Sequence, residues 1–82
     1  MAMTPDDATL RSEMMRLARA RGPDKSFCPS EVARSLAEDW RPLMPRIRAL
    51  ATGLPLAATQ KGRPVDPAEA KGPIRLSLGK DA

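Results

Sequence analysis

Two groups of residues in this 82-residue sequence are of types that could do chemistry. The first is a lone nucleophile, Cys28, the only cysteine present. It stands directly before Pro29, and a helix starting there would favour the thiolate. A cysteine nucleophile also needs a base. The chain has no histidine, the side chain that most often fills that role near neutral pH. The same counts leave no set of imidazoles and thiolates for zinc. The expectation is a protein without catalytic residues, metal or cofactor, in which Cys28 is a buried structural thiol. Ser30 and Glu31 suit the first turn of a helix, and Asp39 suits an N-cap, so none of the three is read as an acid–base group.

The second group is cationic. The net charge of +4 favours anionic partners. Its distribution says more. Residues 41–75 hold seven basic residues against two acidic, a net of +5, while the remainder holds seven against eight. Arg41, Arg46 and Arg48 fall in one candidate helix; Lys61, Gly62, Arg63 and Lys71 fall in one candidate loop. Arginine is the side chain best suited to reading guanine edges from a helix in the major groove. Loop lysines and backbone amides suit phosphates, which position a partner without specifying sequence. Arg41 and Arg48 stand within about 20° of each other around a helix, and Arg46 is read as facing away from Leu43. A solvated basic face and a stiffened turn are the plainer alternatives. Phe27 and Trp40 are the only aromatics, too few for the stacking platforms of single-strand or RNA binders. Trp40 is read as core.

These side chains need elements to hold them. A first helix is expected over about 5–21, with Thr4 as N-cap and Asp7 as a weak capping-box partner. Leu10, Met14, Leu17 and Ala18 form its apolar stripe, and Gly22-Pro23 ends it. Residues 25–28 suit a short extended piece. A second helix, about 29–37, carries Val32, Ala33 and Leu36 on one face. A third, about 40–52, repeats Leu43, Ile47, Leu50 and Leu54 at helical spacing. Asp39 is its expected cap, and Pro45, one turn in, predicts a distorted or late start. Gly53 and Pro55 close it. The period then changes. Residues 56–60 read as a strand, and Ile74-Arg75-Leu76-Ser77-Leu78 alternates as a second strand over about 74–78. Residues 61–73 carry the Gly and Pro of a long hairpin loop, with one helical turn opening on Asp66. Residues 79–82 are expected to fray. The fold class is thus α+β, mainly α: one winged helix-turn-helix-like domain over 1–82, three helices followed by a β-hairpin wing.

The stretch Cys28-Pro29-Ser30-Glu31-Val32-Ala33-Arg34, with Asp39-Trp40-Arg41 and Leu43-Met44-Pro45, resembles a small bacterial family of unknown function, DUF3253. So do Thr59 to Pro67 and Gly72-Pro73-Ile74-Arg75-Leu76. The resemblance runs over about residues 8–78. It implies a winged-helix-like fold and brings no activity, cofactor or site residues. Thr52-Gly53-Leu54-Pro55 departs from the family pattern by placing a proline before the first wing strand.

The leading expectation is a DNA-binding winged helix that uses helix three and a basic wing, with duplex DNA as partner. The alternative is a protein-interaction module of the same shape, with an apolar patch around Met15, Met44 and Leu54 meeting another protein. The acidic start does not read as a secretory signal, and no window approaches a membrane span. One thiol and no signal suit the cytoplasm.

Overall fold

The computed structural model describes residues 5–22 and 24–79. Thr4, Pro23 and residues 80–82, to which caps or fraying were ascribed, lie outside that range. Helix α1 runs Asp7–Arg21 and begins two residues later than expected. Its cap is Asp6, whose Oδ1 accepts the Thr9 N–H at 2.8 Å. This suits the helix dipole: Asp7 lies in the first turn, Arg19 and Arg21 in the last. The helix ends where Gly22 takes a φ of 80° and donates to the Ala18 carbonyl, a conformation that glycine adopts without a Cβ penalty.

Helix α2, Pro29–Leu36, opens on a proline whose missing N–H costs nothing at a helix start. The third helical segment begins as a 3-10 turn, Arg41–Leu43, and continues as α3, Met44–Ala51. The distortion expected near Pro45 is this turn. Each segment carries a proline at its second residue, Pro42 and then Pro45. Asp39 does not cap it. Trp40 occupies the N-cap position, with no side-chain cap bond. Pro42 removes one of the N–H groups that a cap would satisfy, and the Leu43 N–H already bonds the Trp40 carbonyl at 3.0 Å.

The wing is more elaborate than one hairpin. Strand β1, Leu56–Gln60, pairs with two neighbours in a three-stranded antiparallel sheet of order β2-β1-β3. It first turns back over Lys61-Gly62 into the two-residue strand β2, Arg63–Pro64, with Gln60 opposite Arg63. Residues 65–74 then cross to strand β3, Arg75–Leu78, which pairs along β1 from Leu56↔Leu78 to Thr59↔Arg75. The expected loop of residues 61–73 is therefore interrupted by a strand. Lys61 and Gly62 both have positive φ, 54° and 81°. That is the twist-matched two-residue hairpin turn, usually marked by Asn-Gly or Asp-Gly. Pro64 is tolerated because β2 is an edge strand.

The extended piece before α2 closes the other side of the sheet. Phe27 and Leu76 exchange two backbone hydrogen bonds, of 2.7 and 2.8 Å. Both side chains are fully buried, and Phe27 is the largest in the core. Around it pack Leu10, Met14 and Ala18 of α1, Val32 and Ala33 of α2, and Ile47 and Ala51 of α3. Leu17, Leu36 and Leu50 lie at the edge of this core, half-buried. Trp40, expected in the core, is half-buried and packs against the edge of that core at the α2–α3 junction.

Phe27→Ala removes the central side chain, a change that costs about 3–5 kcal/mol in a packed core. A chain of this length has only about 4–12 kcal/mol to lose. The variant is expected to lose its cooperative thermal transition or to melt near ambient temperature, as followed by circular dichroism; a melting point within a few degrees of wild type contradicts this role. Lys61→Asn is expected to do the opposite. Asparagine tolerates positive φ better than lysine, so the variant should gain about 0.5–1 kcal/mol and melt about 3–6 °C higher.

Candidate nucleic-acid interface

Six basic residues are expected to contact nucleic acid. The structure divides them. Arg46 is taken by α1: its Nη2 lies 2.6 Å from Asp7 Oδ1 and its Nε 3.2 Å from the same oxygen. It is not turned away from Leu43, because three residues advance a helix to about 60° from the starting side. It ties α3 to α1. Arg48 is taken by the loop. Its Nε donates to the Pro67 carbonyl at 2.9 Å and its Nη2 to the Ala70 carbonyl. Those carbonyls belong to the helical turn that Asp66 opens, where Ala68 N–H donates to Asp66 Oδ1 and Ala70 N–H to the Asp66 carbonyl. Arg48 is thus a clamp on residues 66–70, half-buried, with two of its donors occupied.

Lys61, Arg63 and Lys71 remain exposed. No ion pair engages them among the described residues. Gln60 brings them to one end of the sheet. It precedes Lys61, pairs with Arg63, and its Nε2 donates to the Lys71 and Pro73 carbonyls. Gly72, with φ 85°, lets the loop pass this amide closely: a Cβ there would stand 3.3 Å from Gln60 Nε2. The result is a basic wing end held by backbone pairing on one side and a glutamine clasp on the other.

Arg41 is exposed and lies over Trp40, its guanidinium carbon 4.7 Å from the ring centroid. Arg34 of α2 lies over the same ring at 4.7 Å. The pair is cation–π stacked at normal distance. Arg34 escapes a reading of the sequence because only the α2–α3 junction brings it to Trp40. The Trp40 ring also forms one wall of an open cleft of about 280 Å³, with Pro29, Met44, Arg48, Pro73 and Ile74 around it. Cys28 reaches the same cleft and is half-buried, not fully enclosed. Arg75 Nη1 donates to its Sγ at 3.1 Å, while Arg75 Nε and Nη2 hold the Ser26 hydroxyl and carbonyl. No base stands in hydrogen-bond contact with this sulfur among the described residues. Nor do the described residues contain a group of three His, Cys, Asp or Glu side chains able to hold a metal ion. No described helix is long and apolar enough to cross a membrane.

The start of α2 is fixed by charge. Glu31 accepts from Arg21 Nη1 at 3.0 Å and Nη2 at 2.6 Å, and from the Cys28 N–H at 2.8 Å. Nearby, Glu13 accepts from Arg16 and from the Ser35 hydroxyl, and those bonds keep its carboxyl below the usual range.

Three helices and a basic wing make this a winged-helix-like α+β domain. Residues 7–79 match the family model described as "Protein of unknown function (DUF3253)", and the chain belongs to that family. Among curated proteins no match is found.

The Arg21 guanidinium, followed by the Cys28 N–H, holds the Glu31 carboxyl at about 2, against its ordinary 4.5. A carboxyl held down in the folded chain adds stability that is complete above its ordinary value. That stability is lost as pH falls toward the folded value. The Arg21 and Glu31 side chains are 34% and 36% exposed, so solvent screening keeps the contribution of the pair modest. Glu31→Gln is expected to melt a few degrees below wild type at neutral pH. The gap should close as pH falls from 4.5 to about 2. A gap independent of pH would show that the ionised pair is not its source.

Proposed function

We propose that this domain binds duplex DNA through its wing, gripping the phosphate backbone rather than reading bases. The observation that carries the reading is the gathering of exposed Lys61, Arg63 and Lys71 at one end of the sheet. Phosphate oxygens accept from lysine, arginine and backbone N–H groups alike. Gly62, at the tip between Lys61 and Arg63, has open space where a Cβ would stand, which suits close approach of a backbone.

The helix contribution is smaller than its arginine count implies. Arg46 and Arg48 already donate to Asp7 and to two loop carbonyls. Arg41 is the exposed one of the three. With one helix arginine and three wing cations, the contacts favour a sequence-tolerant mode, since phosphate contacts carry no sequence information. The domain is read as a binding module and not an enzyme, working in the cytoplasm where such a partner is at hand. The protein-interaction alternative draws less support. Met15, Met44 and Leu54 are each half-buried, and Met44 and Leu54 pack against the core.

Fluorescence anisotropy with a short duplex in about 50 mM salt is expected to give a dissociation constant of about 1–100 µM, with little sequence preference. Each phosphate contact contributes about −0.9 to the slope of log K against log salt. Replacing Lys61, Arg63 and Lys71 together by alanine should flatten that slope by about 3. Absence of duplex binding at low salt, or an unchanged slope in the triple variant, removes the basis for this reading.

A further inference from the structure

Arg16, Arg21, Arg46, Arg48 and Arg75 spend their donors on protein acceptors. Arg34 and Arg41 do not. Both are exposed, and among the described residues neither guanidinium makes a hydrogen bond or an ion pair. Each is nevertheless restrained. Both guanidinium carbons stand 4.7 Å from the centroid of the half-buried Trp40 ring, so they are no more than twice that distance apart. Arg34 lies in the last turn of α2 and Arg41 begins the 3-10 turn, and the ring gathers them across the junction. A cation–π contact spends none of the five N–H donors of a guanidinium. Those donors match the oxygens of a phosphate. Glu38 and Asp39 lie in the same junction and are exposed, but neither pairs with these arginines among the described residues.

One cleft joins this stack to the wing. Trp40, Gly72 and Pro73 all line it. The carbonyls of Lys71 and Pro73 are held by Gln60, which precedes Lys61 and faces Arg63 in the sheet. From the cleft, Trp40 thus leads to Arg34 and Arg41, and the 72–73 segment leads to the three wing cations. We propose that Arg34 and Arg41, gathered on Trp40, make a second set of phosphate contacts to the duplex, across the cleft from the wing. This rests on the reading of the wing given above and adds Arg34 to the site. Phosphate is favoured over a base edge, because an arginine that reads guanine must reach into the groove, and these two are drawn back onto a ring. Phosphate contacts fix the orientation of a protein on the duplex. Two contact groups on either side of a cleft set that orientation, where the wing alone leaves the domain free to pivot.

The test uses the intact protein and a short duplex, with anisotropy followed over about 50–200 mM salt. Arg34→Gln/Arg41→Gln is expected to flatten the slope of log K against log salt by about 2. Arg34→Lys/Arg41→Lys keeps both charges and should keep most of that slope. Arg11 and Arg19 of α1 are exposed as well, and no ring gathers them. Arg11→Gln/Arg19→Gln removes the same charge and should leave the slope at its wild-type value. Suppose the wild type binds and the triple alanine variant of the wing flattens the slope, while Arg34→Gln/Arg41→Gln leaves it unchanged. That result overturns this inference and leaves the wing reading standing. Equal flattening by Arg11→Gln/Arg19→Gln shows a general effect of charge and also overturns it. Absence of duplex binding by the wild type at low salt removes both.

Discussion

Two backbone hydrogen bonds between Phe27 and Leu76 join the halves of this molecule. Residue 27 belongs to the link between the first two helices, and residue 76 to the last strand. Their pairing lays the helical layer on the sheet and sets Phe27 in one buried cluster with residues of all three helices. With one cysteine there is no internal disulfide to help, and a chain of this size buries only about 60% of its unfolded surface. One fully buried phenylalanine, packed among many alanines and medium-sized aliphatics, carries much of that load. The alanines in the core, Ala18, Ala33, Ala51 and Ala58, let helices and sheet approach closely, which is why so few large side chains suffice.

Around this apolar centre the polar groups act as ties. Helix α1 is linked to α2 by Arg21–Glu31 and by Glu13–Ser35, and to α3 by Asp7–Arg46. Arg75 ties the sheet to the segment before α2. Four elements are thus held by charged side chains whose sequence positions suggest solvent or ligand. Net charge says only by how much cations outnumber anions. It does not say which are left over once the fold has used its own.

That distinction marks how far the sequence could be read. The helical stripes of α1 and α3, the strand over residues 56–60 and the alternation of Ile74, Leu76 and Leu78 follow from periodicity, which tracks burial directly. A turn at Lys61-Gly62 is legible in the sequence, but lysine is an unusual first residue for a two-residue hairpin turn, so β2 beyond it merges into the loop. The Asp39 cap failed because Pro42 takes away a donor three residues later, a local conflict between two sound signals. For the site, Lys61, Arg63 and Lys71 stand exposed as their loop chemistry suggests. Arg46 and Arg48 do not, because their partners lie 39 and 19–22 residues away in the chain. Contacts at such separations depend on tertiary geometry, and no spacing rule reaches them. The Arg34–Trp40–Arg41 stack and the cleft behind it are of the same kind.

The clamp of Arg48 on the Pro67 and Ala70 carbonyls has one more effect, and it concerns entropy. Loops with two glycines and several prolines often order only when a partner arrives, and the ordering then subtracts from affinity. Here Arg48 on one side and Gln60 on the other fix residues 66–73 as the chain folds. The wing is in place before any encounter. Arg48 gives a tied loop in place of an exposed cation, and under the proposed function the conformational cost of that loop is met on folding rather than on binding.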